Sequence, residues 1–301
     1  MYNQQMCGGL SENIDANAPK EIKSEDMTLF KIETAMQMIG VMISPSGEII
    51  TPKPIKHNWI INFISLYAAK TDGGAFMVVQ ATDGRDRHEF KSGIVSADIF
   101  PTLVKLVNEN NLAKNNGRHS FSYGLPQNFG GEIQIDYSSG ESISISDNRS
   151  PMISKDLGSE FYKLFTSTIS ESSLPLPDAE TITEIRFDSS RDEAYSHITL
   201  TDNGDGTCHY TRECRYEDPT VFNDEKTLSA ELIEKFRRIA GNCSMLIWDK
   251  LPQSSYIPPE KKSLTFTLSD GKEYVVPNDR LLPNMISHAF FDIELELTSK
   301  W

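Results

Sequence analysis

Apolar and polar residues alternate along much of the chain, and one order of alternating segments occurs twice. The stretch from Leu125 to Asp147 holds a Leu-Pro-Gln loop, an alternating run from Glu132, a turn at Ser139-Gly140 and a second run. The stretch from Leu251 to Val276 has the same order, with its turn at Asp270-Gly271. Alternation with period two is typical of half-buried strands, and a short glycine turn joins two of them. The pattern predicts a β-hairpin in each half of the chain.

Three strands and a helix are predicted ahead of each hairpin, and a closing helix after it. The alternating runs place the strands of the first half at 61–66, 75–80 and 87–91, and those of the second half at 182–187, 197–200 and 208–212. Apolar residues at helical spacing predict helices at 96–112 and 229–241, each beginning at a serine that can cap its first turn.

The spacing between matching residues indicates one duplication. His88 and His209 are 121 residues apart, whereas Gly140 and Gly271 are 131 apart, as expected if loops were inserted between matched blocks. The predicted fold class is therefore α+β, with two tandem divergent repeats in the order β-β-β-α-β-β-α, each an antiparallel sheet with packed helices. We expect repeat 1 at 58–170 and repeat 2 at 178–301, joined by a linker rich in serine and proline.

Residues 1–57 form a predicted N-terminal tail and arm. Residues 1–24 lack an apolar period and read as a tail. The apolar positions from Met27 to Ile39 fit a helix or a strand, and 41–54 fits a hairpin ended by prolines. Strands and helices do not alternate in the βαβ manner, so a Rossmann-type sheet is not expected.

Composition excludes several classes of partner. The 301 residues include 43 acidic and 29 basic ones, which give a formal net charge of −14. Because lysine and arginine supply the affinity for phosphate backbones, we expect no nucleic-acid binding. No window carries the roughly 18 apolar residues of a membrane span. The polar N-terminus lacks a signal-peptide core, so a cytoplasmic location is expected, and an exported protein whose leader has been removed is the alternative.

Motifs with known chemistry are not found, so no catalytic residue, metal ligand or cofactor is predicted. Phosphate-binding, dinucleotide-binding, nucleophile-elbow and zinc-protease patterns do not occur. The four cysteines (Cys7, Cys208, Cys214 and Cys243) lack the spacing of a common zinc site, and we expect reduced thiols. Asp202 to Gly206 fits a hairpin turn better than a calcium loop, because strands flank it.

Three pairs of matched polar residues are the candidate binding positions. His88 and His209 occupy equivalent places in the predicted repeats, as do Asn148-Arg149 and Asp279-Arg280. Each histidine is read either as a half-exposed strand residue or as one of a symmetric pair facing a ligand. Arginine after an acid or amide at a bend ties down the turn or lines a groove that recognises carboxylates.

The second half resembles a class of bacterial α+β domains of unknown function. The resemblance rests on Trp248, Leu251-Pro252, Pro258-Pro259 and the run Ser263–Tyr274 with its Asp-Gly turn. It covers 182–295 and extends to 60–168, and the chain departs from it at Ser263, where the class has an aromatic residue. The resemblance implies a duplicated hairpin-containing fold and carries no activity.

The expected function is a non-enzymatic binding or protein-interaction module, with an unknown protein or small molecule as its partner. The negative charge, the duplication and the missing catalytic motifs favour this hypothesis. Two alternatives stay open. One is a hydrolase with a site in the cleft between the repeats, near His88, His209, Arg149 and Arg280. The other is a structural or dimerisation subunit.

Overall fold

The chain folds into two compact units, Met1–Ser173 and Leu174–Trp301. A computed structural model describes residues 10–36, 42–43, 49–50, 61–83, 88–123, 125, 129–172, 174–216, 220–254, 258–282 and 284–300. The boundary after Ser173 falls within the segment predicted as the linker. Each unit combines a largely antiparallel sheet with a few helices, so the α+β class is correct.

The described residues of unit 1 form an eight-stranded sheet, two α-helices and a separate two-stranded ladder. Its elements are β1 (Leu10–Ile14), β2 (Met27–Ala35), β3 (Met42–Ile43), β4 (Ile49–Ile50), β5 (Phe63–Thr71), β6 (Gly74–Thr82), β7 (His88–Val95), α1 (Ile99–Glu109), β8 (Arg118–Ser122), β9 (Gly131–Tyr137), β10 (Ser142–Asp147) and α2 (Lys155–Ser172). The strand order is β1-β8-β10-β9-β2-β5-β6-β7, and only the β8–β10 pair is parallel. Strands β3 and β4 pair with each other, as expected for the predicted 41–54 hairpin.

The core of unit 1 lies between one face of this sheet and helices α1 and α2. Alternate residues of β2, Phe30 and Ile32, are fully buried on that face. Helix α2 places Phe161 and Phe165 against Phe30, with ring centroids 5.0 and 5.7 Å from it. Burying three aromatic rings together removes a large apolar area from water, and this holds β2 in the middle of the sheet.

In unit 2, the part of the chain that the structure describes forms a six-stranded antiparallel sheet and two α-helices. Its elements are β11 (Ile182–Arg191), β12 (Ala194–Asp202), β13 (Thr207–Arg215), β14 (Val221–Ser229), α3 (Glu231–Asn242), β15 (Lys261–Leu268), β16 (Glu273–Pro277) and α4 (Asn284–Thr298). The strand order is β14-β13-β12-β11-β15-β16. A 3₁₀ helix at Met245–Lys250 carries the fully buried Trp248, whose indole Nε1 donates to the Cys243 carbonyl.

A buried arginine joins helix α3 to the sheet of unit 2. Arg237 donates from Nε to the Ile182 carbonyl at 2.8 Å and from a terminal nitrogen to Asp202 Oδ2 at 2.7 Å. It also bonds to Glu234 on its own helix. The backbone hydrogen bond from Gly204 and the bond from Arg237 lower the pKa of Asp202. The helix is thus fixed to the start of β11 and the end of β12 at once.

The two sheets share several local features. Each central strand carries a β-bulge, at Thr28 in β2 and at Thr183 in β11. Each bulge threonine donates its hydroxyl to a carbonyl of the neighbouring hairpin strand, Asp136 at 3.1 Å and Thr267 at 3.2 Å. The two hairpins turn at Gly140 and Gly271, with φ of 84° and 81°, which lie in the left-handed region that glycine adopts without strain.

The structure corrects the predicted order and register of the strands. Five strands of the first sheet precede α1 and four strands of the second sheet precede α3, where three were predicted, because β1 and β2 belong to the sheet of unit 1 and not to a tail and arm outside the repeat. Residues 10–14, predicted as a tail, form the edge strand β1. Strand β14 was not predicted. By position in the sheet, β11 corresponds to β2, 155 residues earlier, and the separation of 121 residues was wrong.

None of the helices that the structure describes is long and apolar enough to cross a membrane.

Candidate functional site

The exposed face of the second sheet carries a linked arginine, aspartate and histidine. Strand β11 alternates, so that Ile185 and Phe187 are buried under the helices while Arg186 and Asp188 lie on the opposite face. Arg186 Nε is 3.2 Å from Asp188 Oδ2. His197 lies directly across from Asp188 on β12, and its Nδ1 is 2.6 Å from Asp188 Oδ1. A carboxylate only accepts, so Nδ1 carries the proton and Nε2 is left for another group.

A groove of about 480 Å³ opens beside this cluster. It lies where β11 ends and β15 begins, and its lining includes Asp188, His197, Gln253, Glu260, Lys261 and Ser263. The volume is within the range of small-molecule pockets, and most of the residues that line the groove are polar or charged. Tyr195 stands beside the groove with its ring centroid 5.0 Å from that of His197.

One wall of the groove is fixed by a three-membered ion cluster. Lys262 Nζ is 3.0 Å from Glu260 Oε2 and 2.6 Å from Glu294 Oε1 of helix α4. Ser189 donates to the other oxygen of Glu260 at 2.9 Å. Burial opposes the charge of Lys262, but the two carboxylates outweigh it and raise the lysine's pKa. Burial likewise opposes the charge of Glu260, and Lys262 and Ser189 lower its pKa overall.

The groups that remain for a ligand include one lysine, a histidine ring nitrogen and two serine hydroxyls. Lys261 makes no ion pair with any residue of the described chain, unlike its neighbour Lys262. His197 Nε2 takes no part in the bond to Asp188, so it is left to hydrogen-bond to an approaching group. The hydroxyls of Ser190 and Ser263 lie in the same lining. This arrangement can hold an acidic group beside hydrogen-bonding ones.

Unit 1 has a buried charge cluster at the corresponding positions of its sheet. Lys31 and Glu33 of β2 lie 155 residues before Arg186 and Asp188, and both are buried. Lys31 pairs with Glu132 and lies 4.0 Å from Glu33, which also accepts from Ser65 at 3.2 Å. The unit 1 cluster satisfies its own charges, whereas the unit 2 cluster faces an open groove.

The two predicted histidines lie far from the predicted arginines within each unit. His88 begins the edge strand β7, and Arg149 follows β10, five strand spacings away, or about 24 Å. His209 lies on β13, four spacings from β16, or about 19 Å. His209 Nε2 is 3.5 Å from the exposed Glu225. By sheet position His88 and His209 are not equivalent, because β13 corresponds to β6 and not to β7.

Asn148 and Arg149 hold the turn after β10. The buried Asn148 amide accepts from the Ser122 backbone nitrogen at 2.8 Å and donates to the Ser122 and Leu125 carbonyls. Arg149 forms a two-pronged bond with Asp147, at 2.9 Å for each pair of atoms. Burial opposes the Asp147 charge, but Arg149 outweighs it and lowers the pKa of that carboxyl. The contacts of these two residues are those of a braced turn.

Asp279 and Arg280 tie the 251–254 loop to the end of β16. Asp279 Oδ2 accepts from Gln253 at 2.7 Å, and Arg280 donates to the Leu251 carbonyl at 3.3 Å. Arg280 Nε lies 3.8 Å from Asp279 Oδ1. Of the six predicted binding residues, only Asp279 lines the groove.

The remaining chemical motifs have structural roles. Asp202 accepts from the Gly204 nitrogen and Asp205 from the Thr207 nitrogen, so this segment is the hairpin turn between β12 and β13, as predicted. Within the described residues, no three His, Cys, Asp or Glu side chains are grouped to hold a metal ion. Cys208, Cys214 and Cys243 are free thiols, and burial raises the pKa of Cys243 to about 11.

Comparison with protein-family models and with curated proteins finds no match.

Apart from Asp279, sequence reasoning missed the residues that line the groove. Their signal is present as two tripeptides, Lys31-Ile32-Glu33 and Arg186-Phe187-Asp188, which share a basic, apolar, acidic order 155 residues apart. The wrong separation of 121 residues hid this match. His197 adds no sequence signal, because its pairing with Asp188 arises only when β11 and β12 align.

Proposed function

We propose that this chain is a non-enzymatic binding module that holds a small polar ligand with an acidic group in the groove of unit 2. The observation that carries the proposal is the groove itself, with Lys261 and His197 facing it and a wall fixed by Glu260, Lys262 and Glu294. A ligand that enters this groove meets His197, which Asp188 already orients, and a wall that is already fixed by its own ion pairs. Less ordering entropy is then lost on binding, which favours recognition.

We further propose that the two units arose by duplication of one α+β unit. The proposal is supported by the shared sheet order, by the bulge threonines Thr28 and Thr183, and by the left-handed turns at Gly140 and Gly271. One copy then buried its central charges, and the other kept them open for binding. The module would thus bind through the second copy alone.

Binding is tested by NMR titration of the full chain with acetate and with inorganic phosphate as probes. We expect the imidazole signals of His197 to shift and the binding to weaken by about tenfold or more in His197→Ala and Lys261→Ala, because each removes a polar side chain that can bond to the ligand in the groove. His209→Ala and Lys272→Ala are the matched controls, since both residues lie outside the groove lining. Equal binding by all four variants, or no shift at His197, would refute the groove as the site.

A hydrolase is the second candidate, at a site other than the one predicted from the sequence, because Asp188 and His197 have the geometry of an oriented general base. Asp188 fixes the histidine through Nδ1 at 2.6 Å and leaves Nε2 to accept a proton from water. The test is turnover of p-nitrophenyl acetate and p-nitrophenyl phosphate. A turnover rate about a hundredfold lower in His197→Ala, with full activity in His209→Ala, would favour the hydrolase hypothesis. Equal rates in the two variants would exclude it.

A further inference from the structure

The terminal strand β14 of the second sheet has one edge with which no described strand pairs. Its nine residues, Val221–Ser229, pair with β13 on one side, and within the described residues no strand pairs with the other side. All nine side chains are exposed or half-exposed, and Phe222 is 52% exposed. An open edge of this length displays backbone donors and acceptors that can pair with another strand.

The hydrogen-bond register shows which backbone groups face outward. Ala230 donates to the Gly206 carbonyl, in line with the Thr207–Ser229 pairing, so the even-numbered residues of β14 bond to β13. Asn203 donates to the Thr207 carbonyl, so the odd-numbered residues of β13 bond through their backbone to β12. The even-numbered residues of β13 are then left to bond to β14, in agreement with the Ala230 bond. The odd-numbered residues of β14, from Val221 to Ser229, therefore point their N–H and C=O groups away from the sheet.

We infer that β14 is a self-association site, and that its partner is β14 of a second copy of this chain, paired antiparallel about a two-fold axis at Glu225. In that register every outward residue finds an outward residue of the second copy. Asn223 meets Thr227, Val221 meets Ser229, and Glu225 meets Glu225. The five pairs supply about ten backbone hydrogen bonds, and the two six-stranded sheets become one continuous sheet.

The side chains of the helix-facing side are complementary in the same register. Asp224 stands opposite Lys226 of the second copy, and Phe222 stands opposite Leu228. These are the non-hydrogen-bonded pairs of an antiparallel ladder, whose side chains lie closest together. Opposite charges and apolar contacts at such pairs stabilise the pairing of the two strands. Within one copy, Lys226 already lies 2.8 Å from Asp224, so the four charges of the dimer form one alternating cluster. A two-fold axis pairs β14 with an antiparallel copy of itself, and the side chains of β14 are complementary in that pairing.

The central Glu225 pair is the one unfavourable contact. Two carboxylates stand opposite each other, and the nearest basic group is His209, at 3.5 Å within each copy. Replacing Glu225 by Gln removes the repulsion, so we expect the dimer of Glu225→Gln to be about two- to fivefold tighter. This gain distinguishes the proposed register from pairings centred on another residue.

The test is sedimentation equilibrium of the full chain and its variants over a concentration series. Glu225→Pro removes an outward N–H that the monomer does not use, so the monomer should keep its circular dichroism and melting temperature. Its dimer should be at least about tenfold weaker, because net hydrogen bonds are lost. A wild-type chain that stays monomeric at every concentration, or a folded Glu225→Pro that associates like wild type, would overturn the inference.

A charge exchange decides the register even if the proline variant fails to fold. Asp224→Lys alone places lysines opposite each other in a homodimer, and Lys226→Asp alone places aspartates opposite each other. Each variant should associate more weakly than wild type, while a mixture of the two should form heterodimers, because lysine then meets aspartate at every pair. Mixed samples that associate no better than the separate variants would refute the pairing of Asp224 with Lys226.

Discussion

Replacing Arg237 by methionine should destabilise unit 2 strongly, although the sequence shows Arg237 only as one of two adjacent arginines. The methionine keeps the apolar stem against the sheet but removes the bonds to the Ile182 carbonyl and to Asp202. Ile182 is fully buried, so its carbonyl would lose a partner at a cost of about 1–3 kcal/mol. The Asp202 side chain is only 19% exposed and would lose its counter-ion. Together these losses predict that Arg237→Met lowers the free energy of unfolding by about 2–4 kcal/mol.

The assay is urea unfolding of the full chain, followed by tryptophan fluorescence and far-ultraviolet circular dichroism. Trp248 is buried in unit 2, so the fluorescence includes a reporter of the affected unit. Arg238→Met is the matched control, because Arg238 is exposed on the same helix and should change the free energy of unfolding by less than about 0.5 kcal/mol. Equal shifts of the two variants would refute the anchoring role of Arg237.

The pH dependence gives a second check on the same pair. The folded-state pKa of Asp202 is lowered, so its stabilisation is present above the pKa of the unfolded chain, about 3.9, and is lost as the pH falls through the folded value. The difference in the free energy of unfolding between wild type and Arg237→Met should therefore be largest at pH 7 and shrink below about pH 4. A difference that stays constant down to the lowest folded pH would show that Asp202 contributes nothing to it.

Three further outcomes test the packing, the braced turn and the thiols. Gly131→Ala should destabilise unit 1 by about 3 kcal/mol or more, because a Cβ there would meet the Glu33 carbonyl oxygen at 1.8 Å, whereas Gly73→Ala meets nothing within 4 Å and should be neutral in urea unfolding. Asn148→Ala should speed hydrogen exchange of the Ser122 amide and leave the Ser144 amide, held by Asn116, unchanged; equal protection of both amides would refute the brace. With a pKa of about 11, Cys243 is about one part in a thousand thiolate at pH 8, so in a Cys7→Ser background iodoacetamide should alkylate the folded chain at least about a hundredfold more slowly than the unfolded one, and similar rates would contradict its burial.

The hairpins could be predicted from sequence because local features specify them. Alternation places Ile133 and Ile135 on one face, and Gly140 supplies the positive φ that the turn requires. Strand β2 could not be decided, since its apolar residues fit a helix and a strand equally. Only tertiary packing, with Phe161 and Phe165 of a distant helix on Phe30, selects the strand.

Strand β14 and the groove were missed for different physical reasons. Edge strands need not bury a face, so the run Asn223-Asp224-Glu225-Lys226 carries no apolar period that predicts a strand. The groove depends on residues that meet only after folding, such as Asp188 of β11 and Ser263 of β15. Missing β14 also displaced the alignment of the two halves by one strand, which matched His209 to the wrong strand and concealed the Arg186–Asp188 pair.

At the bulges of Thr28 and Thr183, the chain can lose one residue without a change in which of the following side chains face the core. Each threonine is an extra residue with no partner opposite it, so its deletion would leave the alternation that follows unchanged and would remove only one side-chain hydrogen bond. Deleting Ile32 or Phe187 instead would shift the rest of the strand by one residue. Each later side chain would then move to the other face of the sheet, and charged side chains would enter the core. The bulge is thus the one point of each central strand at which evolution can shorten the chain without rewriting the residues that come after it.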